Sequence, residues 1–154
     1  MTKILHPVAG VLALITIATF WLSTALSELF GSQALVTSVK TAIPWGFLLL
    51  IPALAIAGGS GFVLSKERAG VRLVVSKLKR MRIIAANGIL VLIPSALFLA
   101  HKARAGEFDT VFYAVQALEL IAGATNIVLL GRNMLDGLRI KGRLGRRLTS
   151  HAQS

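Results

Sequence analysis

The stretch TVFYAVQALELIAGATNIVLLG, residues 110–131, decides the fold. It is apolar apart from a few neutral polar residues and one carboxylate, Glu119, near its middle. A helix of roughly 20 residues crosses the hydrocarbon core of a bilayer, so this stretch is long enough to span it. A carboxylate at that depth costs about 2.5 kcal/mol or more on insertion scales, and such groups turn toward polar groups inside a bundle. We therefore expect a transmembrane helix whose Glu119 faces protein.

Three further apolar runs precede this one, so the sequence predicts an all-α integral membrane protein, an antiparallel four-helix bundle, over residues 1–134. The first run is longer than the roughly 7–15 apolar residues of a signal peptide, so we expect it to be retained as a span. The third is the shortest and contains Pro94. The four spans are expected at about residues 5–28, 41–65, 83–101 and 110–131.

Charge predicts the orientation of these spans. In a four-span protein the N-terminus, the connection 66–82 and the tail 135–154 share one side, and this side with its margins carries all the basic residues except Lys40, Lys102 and Arg104. Cytoplasmic segments are enriched in Lys and Arg, so we expect both termini in the cytoplasm. The small size and short connections favour the bacterial inner membrane.

The basic connection predicts contacts with anionic lipid headgroups. It either lies along the inner leaflet as an amphipathic helix or extends the third span into the cytoplasm. The clusters adjoin membrane spans and lack interleaved aromatic residues, so we expect no specific nucleic-acid binding. The predicted headgroup contacts are Arg72, Lys77, Lys79, Arg80 and Arg82.

Helical spacing predicts which face of each span is polar. On the third span Asn87, Pro94 and His101 are seven residues apart and form one predicted seam. Small and hydroxyl residues permit close helix approach and interhelical hydrogen bonds, so these faces should turn inward. The predicted stripes are Thr16, Thr19, Ser23 and Ser27 on the first span, the close-packing set Ala53, Ala57 and Gly61 on the second, and Gln116, Glu119, Gly123, Asn126 and Asn133 on the fourth.

Glu119 is either a neutral interhelical hydrogen-bonding group that fixes helix packing or the centre of a binding or proton-carrying site. We expect it to bond with Gln116, Asn126 and the hydroxyls of Thr16 and Thr19, which should lie at its depth. No span, as drawn from sequence, places a basic residue at that level, so we expect the carboxyl to be largely protonated at neutral pH. Asn87 on the third span is a further candidate member of the site.

The sequence predicts no catalytic residue, metal site or cofactor. There are no cysteines, which excludes disulfides and thiolate metal sites. His6 and His101 are expected at opposite membrane faces, about 30 Å apart, too far to share one haem iron. His151 lies in the tail. Trp21 and Trp45 are expected as interfacial anchors. No nucleophile motif or paired-carboxylate arrangement appears.

These features predict a non-enzymatic accessory, assembly or stabilising component that binds a membrane-protein partner or a second copy of itself through helix–helix contacts. An alternative is a small transporter or proton-coupled permease, working as an oligomer around Glu119, Asn126 and Pro52. A third is binding of a quinone or porphyrin by the polar stripe.

Overall fold

The computed structural model describes residues 2–66 and 72–151, with side chains described at 4–62, 76 and 79–138. Within these residues the chain is all-α, without strands. Four segments are long and apolar enough to cross a membrane, as predicted, a composition that is typical of a membrane protein. The helices are α1 (Thr2–Phe30), α2 (Gln33–Lys66), α3 (Arg72–Asn87), a π-helical turn (Gly88–Leu92), α4 (Ile93–Ala105) and α5 (Thr110–His151).

The turn between α1 and α2 is much shorter than predicted. Residues 31–32 alone separate the helices, so α2 begins at Gln33 and not near residue 41. The Gly31 N–H donates to the carbonyl of Ser27 at 2.9 Å, and a Cβ on Gly31 would lie 2.5 Å from that oxygen. Glycine is therefore needed for so tight a reversal. The early start of α2 places Lys40 inside a helix, where the sequence interpretation had a connection.

The helices form a four-membered arrangement in which α1 and α4 each pack against both α2 and α5. Among the described residues, no backbone contact joins α2 to α5, so these helices face each other across a diagonal. The turns 31–32 and 106–109 lie at the same end, because Thr37 donates to the Ala103 carbonyl at 3.2 Å and Val36 packs with Phe112. We call this the short-turn end, and the opposite end, where α3 begins, the basic end.

The outward surface of the bundle is apolar. Only 22–33% of the most apolar stretch of each span is buried, and large side chains such as Leu90 and Phe30 are 74% and 82% exposed. Water-soluble proteins rarely expose contiguous apolar patches of this kind, whereas lipid solvates them. The interior consists of small and medium residues, with Ala13, Ile17 and Ile84 at its centre.

The third span contains a π-helical turn that shifts its inward face. The Ile93 N–H bonds to the carbonyl of Gly88, five residues back, immediately before Pro94. Proline has no N–H, and its ring would clash with the carbonyl four residues earlier, so a wider turn relieves both problems. The predicted seam is therefore wrong: Asn87 faces the bundle, but Pro94 and His101 are exposed.

The basic connection follows the second of its two predicted forms. From Arg72 onward it is a helix continuous with the third span, so α3 is an extension of that span. Residues 67–71 lie outside the described residues. At the other terminus α5 continues unbroken to His151, so residues 135–151 of the predicted tail extend the fourth helix.

Close packing of α1 against α2 depends on Gly46, which lies against the ring of Phe20 so closely that an added Cβ would overlap the ring. We expect Gly46→Ala to lower the free energy of unfolding by about 1–3 kcal/mol, the usual effect of overpacking. Gly59→Ala is the matched control on the same helix, because nothing lies within 4 Å of its added methyl. Unfolding in mixed micelles measures both, and equal stability of the two variants would contradict this packing.

Candidate functional site

The centre of the bundle holds an ion pair that crosses its diagonal. The Lys40 ammonium on α2 lies 2.5 Å from Glu119 Oε2 on α5, and the two side chains are only 1% and 12% exposed. Because the backbones of these helices do not touch, the long lysine side chain makes the connection. Away from water, removal of one member of such a pair is strongly destabilising, because the other charge is left buried without a counter-ion.

The pair lies between mid-depth and the short-turn end. Glu119 lines a cavity of about 50 Å³ together with Phe47 of α2 and Leu92 of α4. Leu92 is the central residue of the span Lys79–Ala105, and Phe47 is close to the centre of Gln33–Phe62. Glu119 itself is five residues from the centre of Thr110–Leu138, and Lys40 is about seven residues from the centre of Gln33–Phe62. At 1.5 Å per residue the two positions lie about 8 and 11 Å from mid-depth, both toward the short-turn end.

Two further side chains border the pair and have unmatched polar atoms. Gln116 Nε2 is 3.5 Å from Glu119 Oε2, a weak hydrogen bond, while Gln116 Oε1 is buried without a partner. Glu28 on α1 lies within electrostatic range of both Lys40 and Glu119, and its buried Oε1 also has no partner. An ammonium has three donors, and Lys40 uses one on Glu119. The cluster therefore has one cation, two carboxyls and spare hydrogen-bonding capacity.

The expectation that no basic residue lies at the depth of Glu119 is wrong. That expectation placed Lys40 in a connection, whereas α2 starts at Gln33, eight residues before the predicted start, and carries Lys40 into the bundle. The argument for a protonated carboxyl loses its premise, since an opposite charge favours the ionised form. The spacing of Val36, Lys40 and Ile43, all buried, is helical and was the available signal.

Asn126 and Asn87 form a separate polar layer nearer the basic end. Asn87 Nδ2 donates to Asn126 Oδ1 and to the carbonyl of Ala122, each at 2.9 Å. Asn126 is 1% exposed and its Nδ2 is 3.4 Å from the carbonyl of Ile84. Asn126 therefore joins α5 to the third span and not to Glu119, because Asn87 lies directly opposite it.

The predicted hydroxyls of α1 do not reach Glu119. Thr16 is buried, but its hydroxyl donates to the carbonyl of Leu12 in its own helix at 2.8 Å. Thr19 is exposed, and Thr24 is buried farther along the helix. Trp21 is not at an interface: its Nε1 donates to the Leu120 carbonyl at 2.9 Å, beside the central cavity.

The fourth-span stripe is confirmed as a buried face. Asn133 at the basic end lies 3.3 Å from Arg80, and Arg80 also binds Asp136 at 2.7 Å. Arg80, predicted to contact lipid headgroups, thus points toward α5. Lys79 and Arg82 are exposed, as a headgroup contact requires, and the side chains of Arg72 and Lys77 lie outside the described residues. The buried members are Gln116, Gly123, Asn126 and Asn133, with Glu119 partly buried among them.

His6 is also engaged within the bundle, at the basic end. Its Nδ1 lies 2.9 Å from the carbonyl of Ala57 and 3.1 Å from the hydroxyl of Ser60. A Cβ added to Gly61 would approach the imidazole to 3.1 Å, so the close spacing of small residues on α2 accommodates this ring. His101 is exposed at the short-turn end. Among the described residues, no group of three His, Asp or Glu side chains converges to hold a metal ion.

The short-turn end carries an exposed charge network. Lys102 contacts Glu107 at 3.2 Å and Asp109 at 2.5 Å. Asp109 also accepts the Phe112 N–H at 2.8 Å and so caps α5. The bond from Lys102, followed by the bond from the Phe112 N–H, holds the pKa of Asp109 below its usual value.

Comparisons of this chain with known protein families, with curated proteins and with solved structures found no match. Its function must therefore be inferred from its own geometry.

The central ion pair predicts non-additive stabilities. We expect Lys40→Met to lower the free energy of unfolding by about 3–5 kcal/mol, because it leaves Glu28 and Glu119 without their cation. Glu119→Gln should cost less, since Glu28 remains to bind Lys40. The double variant should recover much of the loss, because neither charge of the pair remains.

The free energies of unfolding of the wild type, both single variants and the double variant, measured in mixed micelles, complete this double-mutant cycle. Lys79→Met, at an exposed position, is the control for loss of a lysine. Strictly additive losses would show that the two side chains do not interact.

Proposed function

We propose that this chain is a small non-enzymatic membrane component that serves as an accessory, assembly or stabilising subunit through helix–helix contacts in the bilayer. The observation that carries the proposal is the closed Lys40–Glu119 pair at the centre of the bundle. A charge bound by its own chain is not presented to a substrate. The outward helix faces, by contrast, are apolar and exposed, so other molecules meet this protein mainly through its perimeter.

The short connections support the same proposal. Residues 31–32 and 106–109 link the helices at the short-turn end, which leaves little surface there for a water-soluble partner. A partner that recognises this part of the protein must therefore contact it largely within the membrane.

One outward face has the composition of a helix-packing surface. On α2, Ala53, Ala57 and Gly61 pack inside the chain, but Ala55 and Gly59 are exposed and four residues apart. Nothing lies within 4 Å of a Cβ added to Gly59. Small residues at this spacing let two membrane helices approach closely, so the Ala55–Gly59 face is the proposed contact for a partner helix or a second copy.

We further propose an antiparallel arrangement with both termini in the cytoplasm, in a bacterial inner membrane. The contacts of α1 with α2 support it, because His6 meets Ala57 and Phe20 meets Phe47, so one chain direction reverses the other. The concentration of Lys and Arg at the basic end supports the orientation, since cytoplasmic segments carry the excess of positive charge. Exposed Lys79 and Arg82 are the proposed contacts with anionic headgroups there.

The Ala55–Gly59 face provides a direct test. We expect the wild-type chain, purified in mild detergent from its source membrane, to run as a complex of defined stoichiometry on native mass spectrometry. Gly59→Leu should release the monomer, because a large side chain prevents close helix approach. Ala117→Leu is the control, a small exposed residue on α5. A monomeric wild type would contradict the proposal, as would equal disruption by both variants.

A second candidate function is a small proton-coupled permease that works as an oligomer around Glu119. The specific observation in its favour is Glu28, a second carboxyl beside the pair with a buried oxygen that lacks a partner. Intramembrane carboxyls of this kind are common in proton pathways. With two carboxyls for one ammonium, Lys40 has an alternative partner whenever one carboxyl takes up a proton.

Proton flux into proteoliposomes that contain an internal pH-sensitive dye tests this candidate. We expect flux in the wild type to be lost in Glu119→Gln and reduced in Glu28→Gln, and to persist in the exposed control Glu107→Gln. Wild-type flux no greater than that of empty vesicles would rule the permease out and leave the accessory function standing.

A further inference from the structure

Arg104 is a basic residue at the short-turn end that, within the described part of the chain, has no acidic partner. Lys40 binds Glu119, and Lys102 binds two carboxylates of the adjoining turn. Arg104 is exposed in the last turn of α4 and, among the described residues, has neither an ion pair nor a hydrogen bond from its guanidinium. A guanidinium left free in this way is available to an anion from outside the chain.

Arg104 lies at the mouth of a groove between α2 and α4. The groove has a volume of about 360 Å³, with Pro44, Leu48 and Leu97 among its apolar lining residues. Trp45 is 72% exposed and lines the same groove, and His101 lies one turn below Arg104. The groove therefore combines an apolar floor with two nitrogen-bearing side chains at one end.

The depth of these groups matches that of a phospholipid. Arg104 follows Leu92, the mid-depth residue of its span, by a little over three helical turns, which places it about 18 Å from the bilayer centre. The hydrocarbon core ends about 15 Å from the centre, so Arg104 is at the level of lipid phosphates. Leu48 and Leu97 lie deeper, at the level of acyl chains, and so does Trp45, which is two residues from the mid-span Phe47.

We propose that the α2–α4 groove binds one phospholipid of the leaflet at the short-turn end. Its phosphodiester binds Arg104, with His101 beside it, and one acyl chain lies along Leu48 and Leu97. Charge complementarity selects this occupant: an apolar groove with a free guanidinium at phosphate depth fits an amphiphile with an anionic head. The predicted headgroup contacts at the basic end involve the other leaflet, so this is a separate site.

Native mass spectrometry of the detergent-purified protein tests the proposal, with phosphatidylglycerol as the probe and diacylglycerol of the same chains as the phosphate-free lipid. We expect one retained phosphatidylglycerol and no comparable retention of diacylglycerol. Arg104→Gln should weaken the binding about fivefold, as loss of one basic residue beside anionic lipid does. Arg132→Gln, an exposed arginine at the basic end that is outside the predicted headgroup contacts, should leave this molecule bound.

A larger side chain placed in the groove tests whether the lipid lies there. Leu97→Trp should displace the lipid with Arg104 intact, whereas Leu90→Trp, on an exposed position outside the groove, should not. Unchanged binding in both Arg104→Gln and Leu97→Trp would overturn the proposal, and so would equal loss in Arg132→Gln. A further contradicting result would be displacement of phosphatidylglycerol by millimolar inorganic phosphate while diacylglycerol is retained. That result would show a site for free phosphate and would also overturn the proposal.

Discussion

A lysine and a glutamate that meet across the diagonal connect two helices whose backbones do not touch. In a medium without water, neither Lys40 nor Glu119 is stable as a lone charge, so each requires the other at the same depth. This requirement orients α2 and α5 about their axes and sets how far each is inserted. Because α1 and α4 pack into the spaces that remain, the pair constrains the whole four-helix arrangement.

The absence of water also explains the two layers of polar contacts that lie between the ion pair and the basic end. Below the ion pair, Asn87 and Asn126 bond with each other and with backbone carbonyls, and farther on Arg80 binds Asp136. Each layer joins the third span to α5 through groups that lipid could not satisfy. The polar groups of α5 thus form a column of interhelical hydrogen bonds, in which Gln116 Oε1 and Asn133 Nδ2 are buried without a partner. Glu28 on α1 adds a third buried, unpartnered atom beside the ion pair.

Periodicity predicted much of the site because it reports which side of a helix is polar. The inward face of α5 follows directly from its three- and four-residue intervals. On α1 the same reasoning placed Thr16 correctly but Thr19 wrongly, since neighbouring faces differ by a fraction of a turn. It failed for the third span beyond Asn87, because the π-helical turn before Pro94 changes the phase of every residue that follows.

The sequence by itself determined that the helices are apolar enough for a lipid environment, how many of them can span a membrane and which face of the last helix is polar. These properties depend on hydropathy, length and helical period alone. Only the tertiary structure decided which polar groups became partners. The pairing depends on the relative depth of the polar groups and on the reach of the Lys40 side chain across the bundle. The two-residue turn 31–32 and the π-helical turn Gly88–Leu92 set that depth. Lys40 therefore became the counter-ion of Glu119, and Asn87 the partner of Asn126.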